Sequence, residues 1–122
     1  MRLNLSLLLT LAMASGVSSP VFSHHSHSMF DHEKEVTITG IVTEFTFRNP
    51  HVFLFVDVEN ETGEVVNYWV EMGTIPGMIR RGVGAKTFQS GDAISVNMYP
   101  LTDGRPGGSY HTIVAADGKT YN

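Results

Sequence analysis

Residues 35–58 read EVTITGIVTEFTFRNPHVFLFVDV, two runs rich in β-branched and aromatic residues, separated by a turn at Asn49-Pro50. Successive side chains on a strand point to opposite faces, so the phase of the apolar positions says which face turns inward. In the second run Val52, Leu54, Val56 and Val58 share one face and His51, Phe53, Phe55 and Asp57 the other, and the aliphatic face is expected inside. The first run is less regular. Val36 and Ile38 lie on one phase and Ile41, Thr43, Phe45 and Phe47 on the other, with the change at Gly40. A strand whose inward side changes partway needs a bulge or sharp bend, which predicts one long strand shared between two sheet faces.

Working outward, Glu59 to Glu64 contain Asn60 and Gly63 and read as a hairpin loop leading into a third strand from Val65 to Glu71. Thr74 as N-cap, Pro76 in the first turn and Gly82 after Arg81 bracket one short helix. Ile94, Val96 and Met98 alternate through a fourth strand from Ala93 to Tyr99. The Gly- and Pro-rich stretch from Pro100 to Gly108 reads as a loop, Ser109 to Ala115 as a fifth strand, and Asp117-Gly118 as a turn into a short tail. Five strands, a helix between the third and fourth, and a long bent first strand describe a mainly β fold. This is the order of the small five-stranded Greek-key barrel called the OB-fold, placed here over residues 35–122. A β-sandwich or open half-barrel is the alternative arrangement.

Composition narrows the function. The chain has 122 residues and no Cys, which excludes a disulfide framework, an iron–sulfur cluster, a thiolate zinc site and a cysteine nucleophile. The formal charge is -4, and only Arg80 and Arg81 pair among the basic residues, so nothing marks a surface for a phosphate backbone and nucleic acid is not an expected partner. No Gly-x-Ser-x-Gly nucleophile turn occurs.

Arg2 precedes an apolar run from Leu3 to about Val17, followed by Ser18, Ser19, Pro20 and the triplet Val21-Phe22-Ser23. Residues 1–23 therefore read as a secretory signal peptide, with no stable membrane span after cleavage. Cutting after Ser23 makes His24 the mature terminus. Without Arg2 the 8 basic residues become 7 against 12 acidic ones, so the mature domain stands at -5. A small, acidic, cysteine-free exported domain suits a bacterial periplasm. Residues 24–34 are polar, lack periodicity and read as an extended N-terminal arm.

That arm carries His24, His25, His27 and His32, four of the six histidines. Clustered imidazoles suit Cu(II), Ni(II), Zn and Co(II), and affinity for such divalent ions peaks at copper. A cut after Ser23 lets the new amine and His24 chelate one ion. A cut after Phe22 puts a histidine third, where amine, two amides and imidazole make a square-planar site. The expected function is a non-enzymatic periplasmic binder of Cu(II) or a similar ion through His24 and His25, with His27 able to fill a further position and His51 and Glu71 as auxiliary ligands. A different class is an interaction module in which Phe53, Phe55 and Trp69 dock an envelope protein or an oligosaccharide. A third is a copper-dependent oxidative enzyme using the amine, His24 and either His51 or His111 around an open metal position.

The chain also resembles a family of small exported bacterial proteins known as domain-of-unknown-function family 6152. The resemblance rests on His24-His25-Ser26, Met29-Phe30-Asp31, Thr39-Gly40 through Glu44-Phe45, Asn49-Pro50-His51, Glu71-Met72-Gly73, Arg81-Gly82, Gly91-Asp92 and Asp103-Gly104 through Gly107-Gly108-Ser109. Members often have no histidine at the position of His27. The resemblance implies export and a small β domain, and no activity.

Overall fold

One strand, β1 (Val36–Thr46), serves two partners. Its first half pairs antiparallel with β4 (Ala93–Pro100), Val36 opposite Met98 and Ile41 opposite Ala93. Its second half pairs antiparallel with β2 (Val52–Glu59), Val42 opposite Val56 and Thr46 opposite Phe53. The computed structural model describes residues 29–122. β2 continues through the hairpin to β3 (Val65–Gly73), and β4 returns to β5 (Gly107–Val114), which pairs with the two-residue β6 (Thr120–Tyr121). The sheet order is β3-β2-β1-β4-β5-β6, and a parallel pairing of β3 with β5 closes five strands into a barrel. The expected mainly β fold with one short helix between the third and fourth strands is the observed one, and closure removes exposed strand edges from the centre of the sheet.

The strands bury the phases their sequences advertise. Val52, Leu54, Val56, Val70, Val96, Met98 and Ile113 are fully enclosed, and no charged side chain is buried among the described residues. Each such aliphatic side chain contributes about 1.5–3 kcal/mol by leaving water. The helix α1 (Ile75–Arg80) starts where the Thr74 hydroxyl accepts the Gly77 N–H at 3.2 Å, with Pro76 in the first turn. It places Met78 in the core beside Val83 and Phe88.

β1 differs from its sequence reading. Ile38 and Val42 are buried while Ile41 is 45% exposed, so the inward phase runs unbroken through Gly40 and shifts only at a bulge between Val42 and Glu44. Phe45 and Phe47 then pack against the core as expected. Gly40 has another role: a Cβ there would collide with the carbonyl of Asp57, so its absence lets β1 and β2 approach. Two other boundaries move. Gly107 and Gly108 belong to β5 rather than to the loop, and the tail forms β6, where Tyr121 is buried against Phe88.

Candidate functional site

The outward residues of β2 and β3 are set by their register. Phe53 lies opposite Glu71, Phe55 opposite Trp69 and Asp57 opposite Asn67. Across the closure, Glu71 pairs with Ser109 and Trp69 with Gly107. Phe53 is 6.5 Å from Phe55 and 6.0 Å from Trp69 between ring centroids, so the three expected aromatics form one patch. At one end of the patch Asn67 Nδ2 donates to Asp57 Oδ1 at 2.8 Å and to Thr43 Oγ1 at 3.2 Å.

At the other end His51 Nδ1 meets Glu71 Oε1 at 2.7 Å, the imidazole 33% and the carboxylate 17% exposed. His51 stands just before β2 and Glu71 near the end of β3. The antiparallel hairpin brings the two together, with a register shift between Val52 and Phe53. In a neutral imidazole a carboxylate on Nδ1 makes that nitrogen the donor and Nε2 the acceptor, the arrangement used by metal-binding histidines. His24, His25 and His27 lie outside the described residues. Among the described residues no three His, Asp or Glu side chains converge as a metal cage. His111 sits elsewhere: it stacks on Tyr99 at 5.4 Å, and its Nδ1 is 3.1 Å from Glu35 Oε1.

Phe30 carries the part of this face that sequence reasoning missed. It is 5% exposed, bridges to Leu101, and meets the Trp69 ring edge-on at 6.1 Å. The pairings therefore align Phe55, Trp69, Gly107, Leu101 and Phe30 in one row across the outer surface. A Cβ on Gly107 would lie 2.8 Å from the Trp69 Nε1, so the glycine leaves room for the indole. Beyond Phe30, Lys34 donates to the Asp31 carboxylate and Glu33 N–H adds a second hydrogen bond, holding Asp31 below the usual carboxylate range. His32 then packs on Tyr99 at 4.7 Å. The signal in the sequence was the apolar pair Met29-Phe30 inside an otherwise polar arm. The loop after β4 is likewise ordered. Arg105 donates to Asp103 from its backbone and its guanidinium, which lowers the Asp103 pKa.

The sequence matches the Family of unknown function (DUF6152) over residues 12–110. The chain belongs to that family. No curated protein matches it. Among solved structures the DUF6152 chain is similar to the mitochondrial single-stranded DNA-binding protein Rim1 of S. cerevisiae, at 13% identity and a TM-score of 0.52, covering 67% of this chain and 92% of that one. At that identity the likeness concerns the OB barrel alone. Among the described residues of this family member, no helix is long and apolar enough to cross a membrane.

Proposed function

We propose that this DUF6152 protein is an exported, periplasmic metal-binding protein that takes up Cu(II), or a similar late first-row ion, after removal of residues 1–23. The mature amine, His24 and His25 would supply the first ligands and His51 Nε2 a further one. The observation that supports this most is the 2.7 Å contact between His51 Nδ1 and Glu71, because it orients an imidazole for a metal rather than merely placing one at the surface. Glu71 thereby acts on the ion through His51, a different part from the auxiliary ligand expected of it.

Five residues from His24 to Met29 span at most about 17 Å. Phe30 stands three strand spacings, up to roughly 14 Å along the sheet, from Trp69 on β3, and Glu71 lies two residues, roughly 7 Å, further along that strand. Met29 runs antiparallel to the end of β4, so this reading requires the preceding segment to turn back toward His51. Calorimetry with Cu(II) on the mature protein, its terminus verified by intact mass, tests the proposal. The expected result is one tight equivalent that His24→Ala with His25→Ala abolishes and His51→Ala weakens. Binding weaker than about micromolar, or unchanged by the double variant, removes it.

The patch of Phe53, Phe55 and Trp69 supports a second reading, a module that stacks a sugar ring or an aromatic side chain on the OB ligand face. β2 and β3 contain no Lys or Arg, which speaks against a nucleic acid backbone there. Trp69 is the single tryptophan, and its emission reports on this face.

A further inference from the structure

We propose that the end of the barrel opposite α1 is a ligand site, a mouth that takes the hydrocarbon chain of a small carboxylic acid and holds its carboxylate at Arg105. The site is separate from the His51 and Glu71 pair and stands independently of the metal reading.

The two ends of the barrel are filled differently. At one end Phe88 meets Phe45 of β1 at 5.3 Å and Met78 of α1 lies against Gly73 at the end of β3, so the interior is plugged. At the other end the strands still send apolar side chains inward, but nothing among the described residues covers them. Along the inward phase of β3, Met72 and Val70 are enclosed whereas Tyr68 and Val66 are only half-buried. Along β1, Val42 is 1% exposed, Ile38 7% and Val36 38%. The wall parts at the same end, because β3 meets β5 only from Trp69 onward and Val65 to Tyr68 have no β5 partner. What remains is a cavity of about 480 Å³, with Ile38, Val66, Met98 and Leu101 among its walls. Small-molecule sites typically occupy roughly 300–1,000 Å³ and favour the mouths of barrels.

The polar side chains of this lining decide the ligand. Thr37 already accepts from Asn97 Nδ2 at 3.2 Å. Tyr68 carries no hydrogen bond on its hydroxyl among the described residues. Arg105, on the loop between β4 and β5, forms part of the lip. Its Nε donates to Asp103 Oδ2 at 2.8 Å and its backbone N–H to Asp103 Oδ1 at 3.1 Å, so the loop is anchored before a ligand arrives. Those bonds leave the two terminal amino groups of the guanidinium unused among the described residues. A carboxylate presents two oxygens that match such a fork. An aliphatic interior with a single cation at its rim therefore suits a single-chain acid, whereas a sugar needs hydrogen-bond partners along its whole length. Asp103 shares the charge of Arg105, which holds the expected contribution of the guanidinium to about ten-fold in affinity.

Titration of the purified protein with monomeric decanoate, followed by nuclear magnetic resonance of the methionine methyl groups, tests the site. Met98 lines the mouth and Met78 sits at the plugged end, so a saturable shift of Met98 with Met78 unmoved is expected. Arg105→Gln should weaken decanoate about ten-fold and leave decanol, the same chain without the charge, unchanged. Val66→Phe, which fills the mouth, should weaken both ligands. Circular dichroism of each variant checks that the barrel is intact, and Arg105→Gln alters only an exposed side chain should Val66→Phe fail to fold. Absence of saturable binding, shifts that centre on Met78 or Trp69, or a decanoate affinity indifferent to Arg105→Gln each overturns the proposal.

Discussion

The Trp69 indole fills the space that a side chain at position 107 would need, its Nε1 2.8 Å and the Trp69 carbonyl oxygen 2.7 Å from where a Cβ on Gly107 would stand. The same strand pairing closes the barrel, so the outer aromatic row and the fold depend on one glycine. Gly107→Ala is expected to cost about 1–3 kcal/mol through overpacking, lowering the melting temperature by several degrees and shifting Trp69 emission. A melt indistinguishable from that of the unsubstituted protein would contradict the close approach.

β1 offers a paired comparison. Ile41 is exposed and Val42 is enclosed, although the alternation in the sequence assigns them the opposite way. Ile41→Thr should stay within about 0.5 kcal/mol of the unsubstituted protein. Val42→Ala should lose about 2 kcal/mol or more from removed methyl groups and the cavity left behind. Chemical denaturation of the two variants checks the order, and the reverse order would restore the sequence phase.

That reversal shows where sequence stopped being legible. The inward phase of β2, the alternation of Ile94, Val96 and Met98 in β4 and the Thr74 cap follow from local pattern and punctuation, and the structure has them as read. The phase of β1 depends on where it exchanges β4 for β2, a property of two distant strands. The burial of Phe30 and the formation of β6 likewise depend on partners far along the chain. His51 and Glu71 were named from residue type alone; only the hairpin register could make them neighbours.

If Glu71 orients His51 for a metal, Glu71→Gln should weaken copper binding about ten-fold or more while leaving the fold intact, because an amide keeps the shape and loses the charge. His51→Ala should weaken it at least as much. Calorimetry beside circular dichroism separates a binding effect from unfolding. Unaltered affinity in Glu71→Gln would mean that the pair serves the hairpin only.

The Asp31 turn carries its own pH signature. The Lys34 ammonium and then the Glu33 N–H favour the ionised carboxylate and lower its pKa in the folded protein. A lowered folded pKa means that the contribution is complete above the unfolded value and disappears as pH falls through the folded one. The turn should therefore hold at neutral pH and loosen only in acid below the ordinary aspartate range. A carboxyl titration followed by nuclear magnetic resonance should show a low Asp31 midpoint that rises in Lys34→Ala; a midpoint unmoved by that substitution would rule out the lysine as its cause.

The double use of β1 also governs when the chain can fold. Its opening residues wait for the far side of the sequence, since Val36 has no partner until Met98 exists, and the barrel cannot shut until β5 follows. So many pairings between distant residues imply slow folding, on a scale of roughly milliseconds to seconds. A nascent chain therefore remains unable to complete its native barrel until almost all of it has been synthesised, an interval in which the polypeptide is still thin enough to thread through a narrow pore.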